Sequence, residues 1–277
     1  MLNKRLVKKD PNYLKNKKNP LWYRSRGFEK LEGRFGNNKI KTKIQNLIKK
    51  NKPIKILEIG FGEGLVLLEL QKNYPKIQMY GINKEKTKTM SKKNDFIKNA
   101  KIFNINISEK KIPLPYFYDV SDGLKFKSNF FDIIVSQVAI HYVGNKAKLI
   151  EEIWRVLKKG GNAYLHIDGK LEGNQPEFMN LHKDTPRFII YKKGRIISTK
   201  KYINSFKKKG FNLKIEPAFN NPKQFILLIE KTLSHNLKLK LEYDGNSTLY
   251  LTPLKLTDEF KYDGTIWWGT RSIFKIN

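Results

Sequence analysis

Apolar residues along positions 53 to 231 switch repeatedly between two periods, and the switches mark out the elements. "PIKILEI" is a short, nearly continuous apolar run, as a buried strand requires. "GLVLLELQKNY" carries its apolar residues at helical spacing. "IQMYGIN" reads as a second strand, "KEKTKTMSKKNDFIKN" as a polar helix and "KIFNINI" as a third strand. "FDIIVSQ" is too apolar to keep one face in water, and "NKAKLIEEIWRVLKKGG" reads as a helix closed by lysines and a glycine pair. "NAYLHID" is the next strand, "STKKYINSFKKKG" a further helix, and "FNLKIE" and "KQFILLIEK" two more strands. Strand and helix in this cadence predict an α/β fold: a doubly wound, mostly parallel sheet with helices on both faces.

The flanks have a different texture. Residues 1 to 50 are basic, contain Pro11 and Pro20, and end in an amphipathic helix with Ile40, Ile44, Leu47 and Ile48 at helical spacing. Residues 169 to 190 form a long connection that reads as a lid. From 232 the chain alternates in period two and twice breaks at "YDG", at Asp244-Gly245 and Asp263-Gly264, which signals hairpins. The expected organisation is a basic N-terminal arm and helix (1–50), a main domain (51–231) and a small antiparallel β extension (232–277).

Composition changes this picture in two ways. The chain of 277 residues has no cysteine, which removes disulfides, thiolate metal sites and any Cys nucleophile. No metal site is expected. No apolar run approaches the roughly 20 residues that span a bilayer, and the N-terminus lacks the apolar stretch of a secretory signal, so a cytoplasmic location is expected. The second change is charge: 56 Lys+Arg against 25 Asp+Glu leave a formal net charge of +31. Such a field favours a polyanionic partner, with RNA the plausible one. Abundant Lys, Asn, Ile, Phe and Tyr are also what an AT-rich coding sequence produces, although that bias would supply Glu as well.

The chemistry concentrates in "LEIGFGEG", residues 57 to 64. Glycines at every second position after a strand let backbone approach a ligand closely. A phosphate-binding loop would need Lys-Ser/Thr after the last glycine, where Leu65 and Val66 stand. A dinucleotide site would need G-x-G-x-x-G, whereas the spacing here is G-x-G-x-G. Glu58, Gly60, Gly62 and Gly64 resemble the first motif of the class I S-adenosylmethionine-dependent methyltransferases. "NFFDIIVSQVAIHYV" and "KLIEEIWRVLKKGGNAYLHID" resemble the later segments of the methyltransferase type 11 group. The resemblance covers about 53 to 168, and more loosely extends to 231.

That resemblance implies a Rossmann-like fold, S-adenosyl-L-methionine as cofactor and methyl transfer to an O or N acceptor. It implies that Gly60, Phe61, Gly62 and Gly64 meet the cofactor's carboxylate through backbone N–H groups, with Glu58 on its ammonium. An acid normally takes the ribose hydroxyls at the end of the second strand; Asn83 stands there, with Glu85 nearby. The adenine-side acid falls at Asp119 or Asp122, of which Asp119 is the nearer in register.

For the acceptor, the absence of cysteine excludes cytosine C5 chemistry, and "SQVAIHY" lacks the Asp/Asn-Pro-Pro-aromatic element of amino methylation of adenine or cytosine. Gln137, His141 and Tyr142 resemble the Gln-x-x-x-His-Tyr element of mRNA cap guanine-N7 methyltransferases, as does "RFGNNKIKTKIQNLI" ahead of the first strand. Glu63 and Asn83 depart from that pattern. On either reading His141 and Tyr142 are the acceptor-side candidates, and Gln137 is placed at the cofactor. His166, Asp168, Trp267 and Trp268 are weighed as packing residues or pocket and base-stacking ones. A third reading is a basic nucleic-acid-binding module on a degenerate methyltransferase fold.

Overall fold

A computed structural model describes residues 26–36, 38–50, 52–87, 89–137, 139–140, 143, 146–167, 190–192, 195–197, 199–235 and 237. Its strands are β1 (Lys55–Ile59), β2 (Gln78–Asn83), β3 (Leu114–Phe117), β4 (Phe131–Ser136), β5 (Leu157–Ile167), β6 (Ile190–Lys192), β7 (Arg195–Ile197), β8 (Asn212–Ala218) and β9 (Asn221–Glu230). Its α-helices are α1 (Phe28–Phe35), α2 (Lys39–Ile48), α3 (Leu65–Asn73), α4 (Asp95–Ile102), α5 (Lys146–Val156) and α6 (Thr199–Lys207). Seven strands form one sheet in the order β3-β2-β1-β4-β5-β9-β8. The first five in that order pair in parallel, and β9 is antiparallel to both β5 and β8.

Period-two alternation divides the core into two layers. Leu57, Ile59, Ile134, Leu165 and Leu227 pack against Trp154 and Ile153 of α5 and Ile203 and Phe206 of α6. Ile56, Ile133, Val135 and Ile226 face Phe28, Leu31 and Phe35 of α1, Ile40 and Ile44 of α2, Leu67 of α3 and Phe96 of α4. Helices therefore cover both faces, as the strand cadence predicts. Ile48, at the end of α2, stays exposed. Among the described residues no helix is long and apolar enough to cross a membrane.

Three sequence expectations change. "KIFNINI" is not a strand: α4 ends at Ile102, and Asn104 takes φ 54° while Ile105 N–H donates back to Ala100 O. That left-handed helix ending leaves the third strand to "LPYF" at the sheet edge, where Pro115 is tolerated. The polar helix starts only at Asp95, because its carboxylate accepts from the N–H groups of Ser91 and Lys92 and holds them in a turn. The pair Gly160-Gly161 does not cap α5. It lies in a bulge of β5, hydrogen-bonded on both sides to Lys231, with Gly160 at φ 77°. The lid reading at 169–190 and the two "YDG" hairpins fall on residues outside those described, apart from Ile190.

Candidate functional site

Because β1 to β4 run in parallel, the segments that leave them all emerge at one edge of the sheet. Gly60 and Gly62 follow β1, Asn83 to Thr87 close and follow β2, Tyr118 to Val120 follow β3, and Ala139 and Val143 follow β4. Together they line a cavity of about 340 Å³. This is the edge at which open α/β sheets bind ligands. Ser136 Oγ donates to Ile59 O at 2.8 Å and locks the ends of β4 and β1 together there.

The glycines are conformational requirements. Gly60, Gly62 and Gly64 have φ of 75°, 55° and 85°. A Cβ on Gly60 would sit 2.2 Å from Ala139 Cβ, and one on Gly64 would sit 2.2 Å from the Phe96 ring. At Gly62 a Cβ would meet nothing within 4 Å, so this glycine borders open cavity. Gly64 then opens α3, whose first N–H groups are free of helical partners.

Glu58 stands two residues after Ile56 and faces the same layer, beneath α1 and α3. It is buried, and its Oε2 has no hydrogen-bond partner. Burial first, and the charge of Glu69 second, push its carboxyl well above the usual carboxylate range. Asn83 Oδ1 accepts from Gly62 N–H at 3.0 Å, and its Nδ2 donates to Gly62 O at 2.9 Å. Asp119 accepts from Ser121 N–H at 2.9 Å and pairs with Lys84 Nζ at 2.7 Å. Partial burial works to raise its carboxyl, but the Lys84 and Ser121 hydrogen bonds outweigh that and hold it below its ordinary value.

The loop, the buried acid and the cavity fall inside residues 57–165, and those residues match the family model described as a methyltransferase domain. The chain carries a methyltransferase domain of the type 11 family. It is an S-adenosylmethionine-dependent methyltransferase, with S-adenosyl-L-methionine as cofactor. No curated protein matches the chain. Among solved structures, this methyltransferase is similar to a Haloferax volcanii methyltransferase in complex with the Trm112 activator. There the identity is 15% over 67% of this chain and 85% of that one, with a TM-score of 0.43. A SAM-dependent methyltransferase from Aquifex aeolicus is similar at 17% identity over 68% and 88%, with a TM-score of 0.39. One from Methanosarcina mazei is similar at 20% identity over 68% and 98%, with a TM-score of 0.42.

The residues of the methyltransferase fit that cofactor. Its methionine end carries a carboxylate and an ammonium, and here a glycine loop with backbone N–H groups follows a strand whose Glu58 has a buried oxygen without a partner. The structure brings Gly60, Gly62, Asn83 and Asp119 to one cavity; Glu58 and Gly64 do not line it but flank the loop, in β1 and at the start of α3. Other residues named from sequence are placed elsewhere. The Phe61 ring is buried against Phe96 and Phe117, with centroids at 5.5 and 6.2 Å, so only its backbone belongs to the loop. Asp122 is exposed in a turn and does not line the cavity. Gln137 is buried under α1; with its amide turned to satisfy its neighbours, the nitrogen donates to Arg26 O at 2.6 Å and the oxygen accepts from Arg34 Nε at 3.2 Å. His141, Tyr142, Asp168, Trp267 and Trp268 lie outside the described residues.

Sequence reasoning missed the polar group packed between α1 and the strand ends. Arg34 lies 3.2 Å from His166 Nδ1 and donates to Gln224 Oε1 at 2.9 Å. These partners are far apart in the chain and carry no local signal. Lys84 and Tyr118 were also missed as cavity residues. Their position directly beside Asn83 and Asp119 was the available clue.

Proposed function

We propose that this methyltransferase transfers the methyl group to an oxygen or nitrogen nucleophile presented at the end of β4. The observation that carries the reading is the orphaned Glu58 oxygen two residues before a loop of three left-handed glycines, of which Gly60 and Gly62 line a strand-edge cavity. The bound cofactor supplies an electrophilic methyl on a sulfonium. Backbone N–H groups from Gly60 to Gly64 would hold its carboxylate, Glu58 its ammonium, and Asp119 its adenine end. Transfer of this kind is an in-line displacement, so alignment and exclusion of water are the work left to the protein. His141 and Tyr142, which follow β4, are proposed on the acceptor side. The organisation proposed with it is a basic arm and helix (1–50), the cofactor domain (51–231) and a β extension (232–277).

The acceptor class we favour is RNA, because a net charge of +31 draws a polyanion at long range. A cap guanine is one such acceptor, through His141 and Tyr142. Labelled methyl from S-adenosylmethionine, fed to a cell extract with and without RNase, tests both levels. Label in RNase-sensitive material supports RNA. Label in small molecules or protein removes it and keeps the enzyme. No S-adenosylhomocysteine binding at millimolar ligand sinks the enzyme reading and leaves the basic binding module.

A further inference from the structure

The β1–β2 ladder does not stop where the strands do. Its last backbone rung is Gly60 N–H donating to Ile82 O at 2.7 Å. One residue further along β2, the Asn83 side chain takes over and makes a rung of its own. It accepts from Gly62 N–H at 3.0 Å and donates to Gly62 O at 2.9 Å. A backbone N–H only donates and a backbone carbonyl only accepts, so this reciprocal pair fixes the orientation of the amide. Meanwhile the Asn83 carbonyl accepts from Tyr118 N–H at 2.9 Å, which holds the residue from the β3 side. Asn83 is thus tied at three points, two of them to the glycine that borders the open cavity.

A carboxylate could not make this clamp. An aspartate at 83 would still accept from Gly62 N–H, but its second oxygen would face the Gly62 carbonyl with no proton between them. Conversely, the amide has a single acceptor atom, already engaged by the loop. It is poorly suited to accept from two vicinal hydroxyls at once. Glu85, two residues on, lines the same cavity and is exposed. Among the described residues its carboxylate has no hydrogen-bond or ion-pair partner, unlike Asp119, which Lys84 occupies.

We propose that Asn83 is a positioning residue that holds Gly62 in its cofactor-receiving conformation, and that Glu85 is the carboxylate that reads the cofactor's ribose hydroxyls. The second half rests on the S-adenosylmethionine reading; the first does not. The clamp is therefore tested without ligand, by amide hydrogen exchange of the full chain. Asn83→Ala should speed exchange at Gly62 about tenfold, as loss of one hydrogen bond implies, while Glu85→Gln leaves it unchanged. Unchanged exchange in Asn83→Ala, with folding confirmed by circular dichroism, overturns the clamp.

The ribose assignment is read by calorimetric titration with S-adenosylhomocysteine and its 2′-deoxy counterpart. Losing the hydroxyl should weaken binding about tenfold in the wild type and by the same factor in Asn83→Ala, but not in Glu85→Gln. A penalty that vanishes in Asn83→Ala and persists in Glu85→Gln gives the ribose back to Asn83 and overturns the assignment. Failure of the wild type to bind S-adenosylhomocysteine at all overturns the cofactor reading and the ribose assignment together, while the exchange result at Gly62 still stands.

Discussion

Arg34 sets its guanidinium against the imidazole of His166, 3.2 Å from Nδ1, in a site with no solvent exposure at the histidine. Burial, and then the arginine's charge, push His166 down to about 3, against a smaller upward pull from Gln224. The folded protein holds this base neutral, while the unfolded chain protonates it near 6.5. Its contribution to stability is therefore complete above about pH 6.5 and declines as pH falls towards 3. Between pH 7 and pH 5 the loss should be about 2 kcal/mol. Urea unfolding of wild type and His166→Gln at both pH values checks this, and the wild type should lose more by that amount. Equal losses would show that His166 is protonated in the fold.

Glu58 should oppose folding and favour the cofactor. Its carboxyl is raised, by burial first and by the charge of Glu69 second, so ionising it favours the unfolded chain over the empty folded protein. Glu58→Gln is expected to raise the melting temperature of the ligand-free protein. The same change should weaken S-adenosylhomocysteine about tenfold to a hundredfold, the range of a lost charged hydrogen bond. A variant that binds normally would remove Glu58 from the ammonium site.

The three glycines should respond differently to alanine. Gly62→Ala adds a methyl that meets no atom, so its cost is the left-handed backbone alone, about 1–2 kcal/mol, and it should fold yet bind cofactor poorly. Gly60→Ala and Gly64→Ala add the same strain and also collide with Ala139 and Phe96. Thermal melts should rank both well below Gly62→Ala. A Gly62→Ala protein with unaltered affinity would move the ligand away from this loop.

Lys231 is buried, with Nζ donating to Leu157 O at 2.8 Å, Asn129 Oδ1 at 2.9 Å and Arg155 O at 3.3 Å. It thereby closes the C-terminal end of α5. Lys231→Met should keep the volume and strand those acceptors, for a loss of about 1–3 kcal/mol in denaturant titration. No loss would mean that water replaces the ammonium.

Those bonds to Lys231 also mark where sequence reading stopped. Elements whose pattern is complete within themselves, such as β1, α3 and β4, were legible, and so were the loop glycines and the edge at which they act. Gly160-Gly161 looked like a helix stop because their real partner, Lys231, is some seventy residues away in the chain. β3 was hidden by Pro115, which an edge strand accepts and a central one does not. At the site, Gln137 follows β4 in the chain, but its direction is set by Arg26 and by Arg34 of α1, a helix that local periodicity cannot dock. The amide of Asn83 posed the same problem, since its partner is a backbone rather than a side chain.

The reversal of β9 gives the two ends of the described chain opposite addresses. Arg26 meets Gln137 at the rim where the cavity opens. β9 runs the other way, pairing Phe225 with Ile167 near that rim and Glu230 with Asn162 at the far one. Arg26 thus stands at the edge of the sheet that carries the glycine loop. Glu230 and Lys231 lie a full strand length from that edge, so a substitution there reaches a ligand in the cavity only through the sheet.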